Sequence, residues 1–415
     1  MKFYYDALET RPREEREAAL MSALPALVAR AKQATCAFAD IFRYVEPDEI
    51  TSRHALADLP ITRKSELLAR QRTSRAEEPF GGFSAIPFGP AMSRVFASPG
   101  TIYEPEGARC DYWRMARALH AAGFRSGDLI HNCFSYHFVP AGAMMETGGL
   151  ALGCTVFPGG TGQTEMQAQA MAELRPAGYV GTPSFLRIIL ERAAILGLAL
   201  PSVRRALVSG EAFPPALRSW FADRGVDGYQ CYATADMGLV AYETQAREGL
   251  VLDEGVMIEV VRPGTAELVP DGEVGELVVT TMNADYPLIR FGTGDLSAVL
   301  TGTCPTGRTN TRLKGWMGRA DQSAKVRGLF VHPGLVADVI KRFPAVKKAR
   351  LIVSGAMADD RMLLRAETAE QSDGLAVRLA EALRDVTRLR GEVELVAPGS
   401  LPNDGRVIED VRKYD

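Results

Sequence analysis

The sequence predicts an α/β protein of two domains. The larger, residues 1–318, is built on mainly parallel sheets flanked by helices, and the smaller, residues 319–415, is an α+β unit. Three observations carry this. Between Asp128 and Ala212 short apolar runs alternate with helical periods, the rhythm of βα units. Beyond residue 345 two strand-like runs, Ala349–Val353 and Met362–Ala366, precede a helical period at Gly374–Thr387 and a strand at Val393–Val396. Between these stretches, at Gly318-Arg319-Ala320-Asp321, the composition turns more charged. A chain of 415 residues with 47% hydrophobic side chains can fill more than one core.

Taken in order, Arg11–Lys32 reads as an amphipathic helix, with Leu20, Leu24, Leu27 and Val28 on one face and Arg13, Glu15 and Arg16 on the other. In Leu59-Pro60-Ile61-Thr62-Arg63-Lys64, Thr62 is expected to cap the helix that follows. Arg94–Ala97 reads as a short strand running into a Gly/Pro/hydroxyl loop, Ser98-Pro99-Gly100-Thr101. Asp111–Gly123 is expected as a helix and Asp128–Cys133 as a strand, followed by the loop Phe134–Pro140 and a helix over Ala141–Leu152. Strands at Cys154–Gly160, Ala177–Pro183 and Arg205–Ala212 alternate with helices at Gln163–Leu174 and Ser184–Ala194. In such open sheets ligands bind off the strand carboxyl ends, so strand-end residues are the candidates for chemistry.

Gly275–Thr281 is a buried strand ending in a turn, and Arg290-Phe291-Gly292-Thr293-Gly294-Asp295 follows it. An aspartate after Thr-Gly at a strand end is suited to a ribose, since one carboxylate accepts from two vicinal hydroxyls. Cys304–Arg312 is polar and reads as a surface loop or hairpin. Lys325–Val331 alternates like a strand that His332-Pro333 ends, before a helix at Leu335–Lys341.

Composition excludes some classes. A formal net charge of −3 with arginines scattered among acids gives no electrostatic footprint for nucleic acid or an anionic membrane. No run reaches the length of a membrane span, and Met1–Asp6 lacks the pattern of a signal peptide, so a cytoplasmic protein is expected. Six separated cysteines without Cys-x-x-Cys signal neither zinc nor disulfides. The oligomeric state, monomer or homodimer, stays open.

The order of motifs is more specific than any one of them. Gly272–Leu277, then Arg290–Asp295, then Gly318–Asp321 and Lys325-Val326-Arg327-Gly328 resembles the adenylate-forming, AMP-binding acyl-CoA synthetase superfamily. The phrase around Thr62 resembles its phenylacetate-CoA ligase branch. The resemblance implies an AMP-forming acid-thiol ligase that uses ATP, coenzyme A and Mg2+. It activates a carboxylic acid, aryl or arylacetic, as an acyl-adenylate. A small C-terminal lid then turns to admit the thiol. Transfer to an amine or a carrier-protein thiol, or nucleotide binding without turnover, are the alternatives.

The resemblance assigns roles. Ser98, Gly100 and Thr101 match the loop that wraps the ATP phosphates, but Glu104 stands where the family has lysine. Unit charges roughly 5 Å apart at an effective dielectric of about 20 interact by about 3 kcal/mol, so Glu104 is expected to face away from the nucleotide. Gly210 and Glu211 lie along the adenine, and Tyr232 stacks on it. Asp236 is the Mg2+ ligand when the motif is aligned on Tyr232. Aligned on Met237-Gly238, Thr234 keeps the hydroxyl and Ala235 takes the acid's place. The plainer alternative makes Asp236 an ordinary N-cap or turn aspartate. Asp295 and Arg319 hold the ribose, and Asp321 is the hinge. His137 sits where the family sets a side chain against the acyl carboxylate, although a lone histidine is more often a core or turn residue. Phe134, Tyr136, Phe138 and Tyr232 suggest an aryl wall. Arg406 occupies the place of the family's adenylating tail lysine, with Lys413 as its rival.

Overall fold

A computed structural model describes residues 3–262, 265–317, 320, 324–327, 329–331, 333–355, 360–402 and 406–412. The chain divides into two compact units, Met1–Met317 and Gly318–Asp415.

The first unit is organised by a nine-stranded sheet. Five of its strands are parallel: Thr155–Phe157, Leu129–Asn132, Gly178–Gly181, Arg205–Val208 and Asp227–Thr234, in that spatial order. The central members are short, apolar and buried, as strands covered on both faces must be. Helices Ala141–Ala151, Thr164–Leu174, Pro183–Ile195 and Pro215–Ala222 connect them, as the βα rhythm predicts. Beyond Asp227–Thr234 the sheet continues antiparallel through Gly238–Glu243, Leu250–Leu252, Arg312–Leu313 and Val299–Leu300. A second sheet of four strands carries Val256–Val261, Gly275–Thr281 and Phe291–Ser297 antiparallel, with Thr62–Arg63 at its edge. Met92–Ser98 and Ile102–Gly107 form a separate hairpin. Leu24, Val28, Phe38, Val279 and Phe291 share one core, and Trp113, Phe124, Ile130 and Leu207 another.

The second unit is a four-stranded sheet, Glu392–Val396, Arg361–Thr368, Val346–Ser354 and Ile408–Asp410, with helices Pro333–Ile340 and Asp373–Thr387 and a small hairpin, Ala324–Val326 with Leu329–Val331. Ser372 caps the longer helix through the Leu375 amide at 3.3 Å. Leu351, Leu364, Leu379 and Leu383 fill its core.

Some local expectations are corrected. Thr62 does not cap a helix. With Arg63 it is a two-residue strand parallel to Phe291-Gly292, its amide bonding the Arg290 carbonyl at 3.0 Å, and Lys64–Ser74 follows as the helix. A ladder bond to a distant strand outweighs the local cap preference. Asp295, expected at a strand end, lies within the strand Phe291–Ser297, two residues before its last residue. The helix expected over Asp111–Gly123 is confined to Met115–Ala121, because Asp111 and Arg114 take positive φ. Cys304–Arg312, expected as a surface loop or hairpin, belongs to the hairpin that joins Val299–Leu300 to the antiparallel Arg312–Leu313, and within it buried Arg308 pairs with buried Glu9 at 3.0 Å.

Candidate active site

The parallel strands end along one edge of the sheet, where Asn132 pairs with Val180, Gly181 with Val208, and Val208 with Gln230. The segments leaving that edge bring most of the first unit's sequence candidates there. Tyr232, on the outermost of these strands, donates its hydroxyl to Asp295 Oδ2 at 2.8 Å, across to the second sheet. The Trp316 indole donates to Asp295 Oδ1 at 3.0 Å, and Thr293 Oγ1 accepts from the Asp295 amide at 3.0 Å. Asp295 is thus fixed between two aromatic side chains, with its carboxylate oxygens aligned by donors of the hydroxyl and N–H type. A ribose presents the same kind of donor. Trp316 was not legible as part of this set.

Arg290, which opens the same motif, is fully buried and pairs with Glu259 through two bonds of 2.9 Å. It also donates to the carbonyls of Ala57 and Leu59. Its place is beneath the site, tying the strand to the segment that leads into Lys64–Ser74.

Asp236 lies in the turn between Asp227–Thr234 and Gly238–Glu243, and is almost wholly buried. Thr234 Oγ1 accepts from the Met237 amide at 3.2 Å and so shapes that turn. Gly238, at φ +73°, is required there: a Cβ would lie 2.7 Å from the Trp113 carbonyl oxygen. Lys64 Nζ donates to Asp236 Oδ2 at 2.8 Å.

In the hairpin the tip Pro99-Gly100-Thr101 is exposed, with Gly100 at φ +136°. The helix Lys64–Ser74 and the residue after it grip this loop from behind. Arg72 donates to the Gly100 carbonyl at 2.9 Å and Arg75 to the Thr101 carbonyl at 2.7 Å. Gln71 pairs both ways with the Tyr103 backbone, each bond 2.8 Å. Ser98 is buried and its hydroxyl donates to Glu104, so it is committed inward. Glu104 does not turn out to solvent. It is fully buried, and burial pushes its carboxyl up to about 8, with the Asp236 charge adding to the rise while Lys64 and the bonds from Ser98 oppose it.

Gly210 has φ +82° just beyond Arg205–Val208. Glu211 accepts from the Ser184 amide at 2.6 Å, which sets its carboxylate at the start of helix Pro183–Ile195. In the loop after Leu129–Asn132, Asn132 donates to Tyr136 Oη and to the Gly142 carbonyl, both at 2.8 Å. His137 is exposed beside it. The aryl wall is not assembled as expected: Phe134 is buried in the core and Phe138 is 80% exposed, leaving Tyr136 and Tyr232 partly buried. Arg406 is exposed in the second unit, its carbonyl accepting from Arg350 at 3.2 Å. Arg319, Asp321 and Lys413 lie outside the described residues.

A family model described as AMP-binding enzyme matches residues 108–284. The phenylacetate-coenzyme A ligase of Aromatoleum evansii is 31% identical over 74% of this chain and 71% of its own. That of Thermus thermophilus is 29% identical over 99% of this chain and 100% of its own. The fold is also that of a 2-hydroxyisobutyryl-CoA ligase solved with 2-HIB-AMP and CoA in the thioesterification state, with a TM-score of 0.83, 23% identity, and coverage of 100% of this chain and 93% of that one. This chain therefore belongs to the AMP-forming acid-thiol ligases, in the phenylacetate-CoA ligase-like branch of the adenylate-forming acyl-CoA synthetase superfamily.

Proposed function

We propose that the chain activates an aryl or arylacetic acid with ATP and passes the acyl group to coenzyme A. In the first step a carboxylate oxygen bonds to the α-phosphorus and the bond to pyrophosphate breaks. In the second the coenzyme A sulfur bonds to the acyl carbon, the thiol proton leaves to solvent, and AMP departs. The single observation that carries the reading is the Tyr232–Asp295–Trp316 cluster at the strand ends, beside the Lys64–Asp236 pair. Tyr232 and Asp295 are the residues that the family resemblance assigns to adenine and ribose. Arg319 joins Asp295 on the ribose in this reading, and the loop Gly100-Thr101 meets the phosphates.

Mg2+ fits the residues present. Asp236 Oδ1 is buried with no hydrogen-bond partner among the described residues, a hard oxygen donor of the kind Mg2+ takes. Asp236 would hold the ion, which would neutralise phosphate charge while pyrophosphate leaves. Arg406 supplies the tail cation for the first step, and Asp321 the hinge on which the second depends. His137 faces the acyl carboxylate. The relatives' names motivate phenylacetate as the first substrate to try, and Tyr136 with Tyr232 supplies aromatic surface for it. Pyrophosphate release over a panel of carboxylates tests the assignment: arylacetates are expected to give the highest kcat/KM, and a preference for short aliphatic acids would overturn the aryl reading.

A further inference from the structure

The position where the family resemblance calls for a phosphate-loop lysine carries a buried acid, Glu104, and the structure shows what surrounds it. Ser98 satisfies one carboxylate oxygen, and Glu104 Oε2 is buried without a hydrogen-bond partner among the described residues. Asp236 repeats the pattern: Lys64 satisfies Oδ2, and Oδ1 is buried and unpartnered. Tyr286 is a third case. Its side chain is fully buried, its hydroxyl also lacks a partner among the described residues, and the charges of Glu104 and Asp236 both act on it. Each of the three is thus a buried oxygen without a partner among the described residues, and the charges of Asp236 and Lys64 both act on Glu104. A buried oxygen left unsatisfied carries its full desolvation penalty.

Resting on the nucleotide reading above, we propose that Glu104 is a second protein carboxylate for the nucleotide's divalent cation, holding it jointly with Asp236. Hard oxygen donors select Mg2+ or Mn2+, ions that take one or two protein carboxylates and complete their shell with phosphates and water. The lost lysine charge is then replaced by the ion itself. Repulsion between Glu104 and the triphosphate, which made a side chain facing away from the nucleotide the expectation, is offset in the same way. No group of three or more His, Cys, Asp or Glu is arranged for a metal among the described residues, so the phosphates are needed to complete the site.

The test is Mn2+ binding, read by electron paramagnetic resonance, to the full chain saturated with a non-hydrolysable ATP analogue. Glu104→Gln keeps the size and the acceptor for Ser98 but removes the charge. It is expected to weaken Mn2+ binding by about tenfold or more, and Asp236→Asn is expected to do the same. A smaller loss in Glu104→Gln, with Asp236→Asn impaired, overturns the proposal by leaving the ion on Asp236 alone. AMP binding measured in EDTA reads the nucleotide site separately, so failure of that site is distinguished from failure of the second ligand. If Glu104→Gln does not fold, Glu104→Asp withdraws the carboxylate by one methylene and is held to the same threshold.

Discussion

At Asp295 the local chemistry makes a direct statement about binding. Its carboxylate is aligned by Tyr232, Trp316 and the Thr293 turn, so on the proposed reading a nucleotide would meet an acceptor that needs little reorganisation. Asp295→Ala is expected to weaken AMP binding by about 1.5–3 kcal/mol, the usual worth of hydrogen bonds to a charged group. Titration calorimetry showing unchanged AMP affinity would contradict this. A second residue bears on stability. Burial pushes the Asp111 carboxyl up to about 6 from an ordinary value of 3.8, opposed by hydrogen bonds from the Ala116 and Met115 amides. The folded state then holds its proton at a pH where the unfolded state has lost it. The resulting stability is complete below pH 3.8 and is lost as pH rises through about 6, at about 1.4 kcal/mol per unit. Asp111→Asn keeps an acceptor for the amides without a charge to bury. Its Tm should match the wild type near pH 3.8 and exceed it at pH 7; equal Tm values at both would refute the argument.

The hairpin proposed to meet the phosphates depends on a neighbouring element. Gln71, Arg72 and Arg75 bond to its backbone between Gly100 and Tyr103, and the helix that carries the first two begins at Lys64, on Asp236. One short segment thus positions both the loop and the candidate metal acid. Gln71→Ala removes two bonds to Tyr103 and is expected to raise the KM for ATP several-fold while leaving the KM for the acid nearly unchanged. Equal rises in both would mean a general loss of structure. The alternation of apolar runs made the parallel strands and their helices legible in the sequence, because burial on two faces leaves a compositional trace. The order of motifs did the same for Tyr232, Asp236 and Asp295. Lys64, Arg72, Arg75 and Trp316 left no such trace. Lys64 meets Asp236 across 172 positions of sequence, and only tertiary packing sets that distance. The edge strand at Thr62-Arg63 was missed for the same reason: a two-residue strand has no periodicity to read, and its partner lies in another motif.

For the molecule as a whole, the reading assigns the two chemical steps to different residues. Arg406, exposed in the second unit, is the cation proposed for adenylation. A guanidinium keeps the charge of the expected lysine in a broader planar form, so adenylation is expected to be slow, and Arg406→Lys to equal or exceed the wild type. Arg406→Ala should lose pyrophosphate release yet still convert preformed acyl-adenylate to thioester; retention of full release in Arg406→Ala with loss in Lys413→Ala would move the role to Lys413. The most direct measurement of the central claim is pyrophosphate release from ATP with phenylacetate, followed with and without coenzyme A. The account predicts release that requires the acid, stops near one equivalent per active site without coenzyme A, and becomes continuous when it is added, with AMP and phenylacetyl-CoA formed in equal amounts. Absence of acid-dependent pyrophosphate release with phenylacetate or any other carboxylate, in a protein that still binds AMP, would contradict it.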